Sequence, residues 1–582
     1  MSEKFKGFEI GLSDEELTKR VHKDYLNTIK MLDVDCEEYT SLQDGDKEAL
    51  KYLVKAANAL DVAFMKQDND LNLEFKKYLE YRVAQGDETA QKALRLFIAQ
   101  KGILSVDTEA NEYSLKAGEV KTLGKSLYPK DLSVEEFHAI LLKMLSENKI
   151  DEVKTILNQR SIVYREGDEL KAIDYTEAFK EEFTIAADNL EKAADVSTNE
   201  DFNEFLRFQA KALRENDPML DAYADKKWAE LQDTPLEFTI TRENYEDELT
   251  GTVSENEKLL NLLNEKNITA LPKDMLGIRV GIINKKGTEM LLEIKKYLPI
   301  LAKEMPFSDK YEQNISASET ANVKQTMVDV DVVTVAGDAG SYRGGIVLAE
   351  NLPNDDKLSL TIGGGRRNAY HRQIRQFTNP EKLKKRLDST LAPEFHQYYE
   401  NEADHWFTIG HENAHSLGPN SGTEALGKYK SIIEENKADM ASMAMVDKLV
   451  ELKMYTEHQK LQIITSFVAD GFLKAKPTLS QAHRVRSVMQ TKFLMDNGAV
   501  EIGKEDGLIH MDFEKVIPTA RKMLEEIITI QLSNDFSLAE KFVEKYFIWT
   551  DEMELIAQKI KKVSKTLNGE ISTPLADKLA NE

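Results

Sequence analysis

Between residues 272 and 375 the chain strings β-branched runs between Gly, Pro, Asn and Asp, and on either side it does not. The stretch MVDVDVVTVAGDAGSYRGGIVLAENLPNDDKLSLTIGGG within it has the composition of short strands and turns. The flanks are poor in glycine and proline and carry apolar residues at three- and four-residue spacings, as in EALKYLVKAANALDVAFM at 48–65. Helical texture covers 13–102, 176–215 and roughly 380–565. LEFTI at 236–240 alternates like a strand, and Ser133 followed by Glu136 has the spacing of a helix capping box. A strand-rich block between helical tracts predicts a mostly α fold with a β-rich core, in the α+β class. With 582 residues, one hydrophobic core is not enough, so at least two lobes are expected.

Composition matters here for what it excludes. Hydrophobic residues make up 41% and charged residues 31%, which are globular values. A net charge of −25 argues against a nucleic-acid partner, whose phosphates need positive surface. No run of eighteen apolar residues occurs, so no membrane partner is expected. The N-terminal segment lacks the apolar core of a signal peptide, and Cys36 is the one cysteine. An intrachain disulfide is therefore impossible, and a cytoplasmic protein is the expectation.

The chemistry concentrates at 411–415, His-Glu-Asn-Ala-His. On a helix, positions i and i+4 share a face, so His411 and His415 can present two imidazoles to one ion. Glu412 is rotated about 100° from His411 and can reach a metal-bound water without ligating the metal. Gly418-Pro419 then stops the helix. A third histidine in the HExxHxxGxxH pattern would fall on Ser421, so that class is disfavoured. Downstream, the helical stretch 431–452 holds Glu434, Glu435 and Asp439. Glu435 can complete a His₂Glu site with one position open. Asp439, four residues on, can accept the second ring N–H of a ligating histidine, and Glu434 lies beside it. GTEALGKY at 422–429 nearly matches a phosphate-binding loop, but Tyr429 stands where Ser or Thr is needed.

These residues resemble the dipeptidyl-peptidase III family of zinc metallopeptidases, in the variant with a five-residue metal motif. HENAHSLGP is similar to the family's metal helix, and EENKAD at 434–439 to its EECRAE element, whose second glutamate binds zinc. RENYED at 242–247 resembles an E-x-Y-x-D element, ENLPNDDKL at 350–358 an N-x-P-N segment, and LSQAHRVRSVM at 479–489 the QAH helix. The resemblance runs from about 120 to 550. It implies one zinc ion per chain, Glu243 and Glu257 on the peptide amino terminus, and Asn351 and Asn354 on the peptide itself. Tyr245 and His483 would stabilise the tetrahedral intermediate. The family's arginine, four residues after the histidine, is replaced by Ser487, with Arg486 adjacent. Some similar proteins are fused to a Nudix domain, and no Nudix box is visible in this sequence.

The implied fold has two lobes around a wide substrate cleft, with zinc on the helical lobe. Residues 1–260 would form most of a discontinuous lower lobe and 261–325 the first segment of the upper lobe. Residues 326–375 would be the β-rich substrate-binding segment, and 376–582 the helical zinc-binding upper lobe. The implied activity is release of N-terminal dipeptides from short unblocked peptides, by a monomer or homodimer. Two alternatives stand beside it: a zinc aminopeptidase or endopeptidase of the thermolysin-like class, and a catalytically idle peptide-binding protein.

Overall fold

The structure is a computed structural model that describes residues 5–582 other than 216, 244–246, 314–326, 338–348, 353–361, 363–366, 374–379, 420–422, 480 and 534. The chain divides into two compact units. The first comprises 1–284, 330–374 and 566–582; the second comprises 285–329 and 375–565.

The first unit is helical around a five-stranded sheet. The helix α1 (Asp44–Asp68) buries Leu50, Leu53, Val54, Ala57, Leu60 and Phe64, the three-four stripe visible in the sequence. It packs on α2 (Lys180–Val196). Each large apolar side chain removed from water there contributes on the order of 1.5–3 kcal/mol. The sheet consists of β1 (Leu236–Glu243), β2 (Met275–Asn284), β3 (Met327–Gly337), β4 (Ala349–Leu352) and β5 (Arg367–His371), in spatial order β1-β2-β3-β5-β4. β1 and β2 are antiparallel, pairing Thr239 with Arg279, and β4 and β5 are antiparallel, pairing Asn351 with Asn368.

The strand alternation of β1 is real, but its polar half is not solvated. Leu236, Phe238 and Ile240 are buried, and so are Glu237, Thr239 and Thr241. Internal partners account for it: Glu237 meets Arg367 at 3.3 Å, Thr239 donates to Glu350 at 2.6 Å and Thr241 to the Gly277 carbonyl at 3.1 Å, and Glu350 in turn meets Arg279 at 3.3 Å.

The C-terminal residues 566–582, which the sequence reading placed with 376–565, lie in the first unit. Asn568–Ser572 forms a parallel pair with Leu26–Lys30, and the helix Pro574–Asn581 packs on α1. At Ser133 only half of the capping box forms. Its Oγ accepts the Glu136 N–H at 3.2 Å, but the Glu136 carboxylate takes both Nη atoms of Arg165 at 2.7 and 2.8 Å.

The second unit is almost wholly helical. Four of its helices build the site: α3 (Asn401–Ala414), α4 (Lys430–Ala444), α5 (Ala482–Asp496) and α6 (Phe513–Ser533). α3 starts with Glu402 and Asp404 in its first turn, favourable against the helix dipole. It crosses α4 closely at Gly410, where a Cβ would sit 2.2 Å from Ser442 Oγ. That hydroxyl donates to the Phe407 carbonyl at 2.9 Å. Among the described residues no helix is long and apolar enough to cross a membrane.

Candidate metal centre

His411 occupies the last turn of α3, and His415 is its C-cap. His415 keeps right-handed helical angles (φ −59°, ψ −32°), so the i, i+4 relation survives although the helix has ended. The chain then turns away at Gly418, whose φ of +96° is open to glycine at little cost. Its N–H donates to Gln313 Oε1 at 3.0 Å.

The two ring nitrogens His411 Nε2 and His415 Nε2 face each other at 3.1 Å. Glu435, from α4, brings Oε2 to 3.5 Å from His411 Nε2. One donor atom from each of His411, His415 and Glu435 lies within 4.8 Å of the other two. Glu412 stays beside this triad, with Oε1 4.0 Å from His411 Nε2.

Behind the triad, each imidazole rests on a carboxylate. His411 Nδ1 is 2.7 Å from Asp439 Oδ1, and His415 Nδ1 is 2.9 Å from Glu434 Oε1. Carboxylates only accept, so both Nδ1 atoms carry the proton. With both rings neutral, the two Nε2 atoms then present lone pairs to one another. Two acceptors at 3.1 Å repel unless a cation or an added proton lies between them. The donor set therefore fits a divalent metal such as zinc, with carboxylate partners fixing the ring tautomers.

Charge tells the same story. The described residues around the triad include four carboxylates, Glu412, Glu434, Glu435 and Asp439, and two fixed cations, Lys437 and Arg486. Lys437 is 2% exposed, pairs with Glu434 at 2.8 Å and donates to the carbonyls of His415 and Leu417 at 3.2 and 2.7 Å. It thereby ties the turn after the metal motif to α4. Burial pushes the Glu434 carboxyl up, but Lys437 and the His415 hydrogen bond outweigh it and hold it down at about 2. Burial likewise opposes ionisation of Glu435 and Asp439. For Glu435, His483, His415 and His411 hold the carboxyl well below its ordinary range; for Asp439, Arg486 and His411 do so. His415 is raised: burial works against its charge, and Glu434, Glu435 and Glu412 more than compensate.

One face of α5 serves these carboxylates. His483, Arg486 and Gln490 are spaced three and four residues apart, one above the other on a helix. His483 Nδ1 lies 3.1 Å from Glu435 Oε2, and its side chain is 55% exposed. Arg486 bridges Glu435 at 2.7 Å and Asp439 at 2.9 Å. Gln490 Nε2 donates to Asp439 Oδ2 at 3.0 Å, and Gln531 of α6 donates to Glu434 Oε2 at 3.0 Å. Lys437, Arg486, Gln490 and Gln531 were not singled out for the metal centre from sequence. The three-four spacing of His483, Arg486 and Gln490 was the available signal.

The remaining sequence-predicted residues belong to the first unit. Glu243 is the last residue of β1 and Asn351 lies in β4, both placed by their backbone. Glu257 is exposed at the start of the helix Glu257–Glu265, after the Asn256 cap. Tyr245 and Asn354 fall outside the described residues.

No family model matches this chain. The solved structure of DPP III from Caldithrix abyssi superposes with a TM-score of 0.78, covering 97% of this chain and 100% of that one at 23% identity. Dipeptidyl-peptidase III from Corallococcus sp. strain EGB gives a TM-score of 0.76 over 98% of this chain and 99% of that one, at 21% identity. A plant protein, Nudix hydrolase 3 of Arabidopsis thaliana, is 24% identical over 598 aligned positions, spanning 93% of this chain and 72% of its own length. The chain thus has the α+β fold of the dipeptidyl-peptidase III structures.

Proposed function

We propose that this protein is a zinc-dependent peptidase that releases dipeptides from the amino terminus of short, unblocked peptides. The observation that carries the proposal is the pair of facing histidine nitrogens, 3.1 Å apart, with Glu435 beside them and a carboxylate behind each ring. The dipeptidyl specificity rests on the fold shared with two structures titled dipeptidyl-peptidase III.

His411, His415 and Glu435 would hold zinc. Zinc, when bound, supplies Lewis acidity to the scissile carbonyl and to the attacking water. Glu412 takes a proton from that water and returns it to the leaving amine. Its position next to the triad but outside it suits a base that must not ligate. Asp439 and Glu434 keep the two rings in the ligating tautomer. His483 and Tyr245 donate to the developing oxyanion, a role that needs donors fixed in advance. Glu243 and Glu257 hold the peptide ammonium, and Asn351 and Asn354 hold its backbone. No Nudix box is visible in the sequence, so Nudix hydrolysis is not part of this function.

The test is a digest of unblocked and N-acetylated peptides of four to eight residues with the zinc-loaded protein, read by mass spectrometry. Dipeptides from the unblocked set alone, lost in Glu412→Ala, establish the reading. Single residues or internal fragments would replace it with an aminopeptidase or endopeptidase. No cleavage by the folded, zinc-loaded chain would leave a peptide-binding protein.

A further inference from the structure

β1 and β4 are the two outer strands of the five-stranded sheet, yet a side-chain hydrogen bond joins them. Thr239 Oγ1, on β1, donates to Glu350 Oε2, on β4, at 2.6 Å. Arg279, the cross-strand partner of Thr239 on β2, pairs with the other Glu350 oxygen at 3.3 Å. His371 of β5 lies 3.9 Å from Glu350. Strands at opposite ends of the hydrogen-bonding order touch only if the sheet curls on itself. Glu350, with its side chain 4% exposed, is the group that closes the curl.

The closure has a consequence for the residue next in the chain. Among the described residues, β4 pairs with β5 over Ala349–Leu352 and lies at the edge of the sheet order. Three other strands separate it from β1 along the backbone ladder. Asn351 follows Glu350, and β1 ends at Glu243. Among the described residues, the Thr239–Glu350–Arg279 clasp links these two strands across the sheet interior. We propose that Glu350 is a positioning residue for peptide binding, which holds the strand of Asn351 at a fixed distance from the strand of Glu243. This rests on the reading of Asn351 and Glu243 as peptide-holding residues given above.

The mildest probe is Thr239→Val, which removes the edge-to-edge hydrogen bond and keeps the Arg279–Glu350 pair. Glu350→Gln is the second, keeping an acceptor for Thr239 while discharging the pair. Binding of an unblocked hexapeptide is measured by titration calorimetry in the Glu412→Gln background, alongside amide exchange of 349–352 and zinc content. Thr239→Val is expected to weaken binding about tenfold, because the strand of Asn351 would have to be drawn back to its spacing when peptide binds. Exchange in 349–352 should speed up, zinc content should hold, and kcat in the Glu412 background should stay within about twofold. A purely structural clasp would lower the melting temperature of both variants and leave the peptide Kd within twofold, which overturns the proposal. If the wild type binds the hexapeptide without releasing dipeptides, the functional reading fails and the ratio of variant to wild-type Kd still judges the clasp. A wild type that binds no hexapeptide removes both.

Discussion

The metal centre and the sheet interior both bury charge, and they resolve it in opposite ways. In the sheet, Glu237 is paired with Arg367 and Glu350 with Arg279, two acids against two arginines. The arrangement closes on itself. Around His411 and His415, four carboxylates meet two fixed cations, and two nitrogen lone pairs point at each other. Burying charge is expensive in both places. In the sheet the partners come from the chain, although burial still raises the Glu237 carboxyl and lowers the Arg367 guanidinium against that pairing. At the candidate metal centre, ligand atoms of His411, His415 and Glu435 converge, with a carboxylate behind each ring. A buried ionic cluster is therefore weak evidence of function by itself; convergent ligand atoms with ring orientations fixed from behind are stronger evidence.

The contrast breaks most easily at the triad. Glu435→Ala should abolish stoichiometric zinc binding, exceeding the roughly 100-fold ceiling expected for loss of an outer partner. Zinc retained by folded Glu435→Ala, read by competition with a chromogenic chelator, would refute the ligand triad. Glu412→Gln should lower kcat ~10²–10⁴-fold with zinc content unchanged, because Glu412 stands outside the ligand set. A variant that loses zinc instead would make Glu412 a ligand.

The sheet should answer differently. Arg367→Met strands Glu237, whose side chain is 1% exposed, and is expected to cost about 3–5 kcal/mol in urea unfolding. Replacing both partners with apolar residues should recover most of that, since a self-contained pair can be exchanged for packing. Neither change should alter zinc affinity. If the double variant is no more stable than the single, the sheet charges do something beyond pairing.

How much of this could be read from sequence follows the same division. The metal helix and Glu435 were legible because spacing on a helix is a local property: residues four apart share a face whatever surrounds them. The α+β texture was legible for the same reason. Partners distant in sequence were not. LEFTI announces an alternating strand, but nothing local says whether its polar face meets water or meets an arginine on a strand more than a hundred residues away. Lys437 in EENKAD reads as an ordinary surface charge and is 2% exposed. Arg486 stood next to the position where the family resemblance wanted an arginine, and its guanidinium is turned onto Glu435 and Asp439. The pairing of Asn568–Ser572 with Leu26–Lys30 joins the two ends of the chain and leaves no local signature.

The smallest effect separates the two histidines. Both rest on carboxylates, but unequally: Asp439 is 3% exposed and Glu434 is 31% exposed. Asp439 is also committed on its second oxygen to Arg486 and Gln490, so an amide there disturbs three partners. Glu434 gathers His415 and Lys437 on one oxygen, Oε1. A glutamine carbonyl can still accept from both, while its NH₂ meets Gln531, whose amide can turn over to receive it. Asp439→Asn should therefore weaken zinc binding by ~10–100-fold, the usual cost of losing a carboxylate partner, and Glu434→Gln by no more than ~10-fold. Competition titration at fixed pH ranks the two directly. Equal losses would show that carboxylate charge alone sets affinity. The reverse order would show that His415, at the frayed end of α3, depends on its partner more than His411 does.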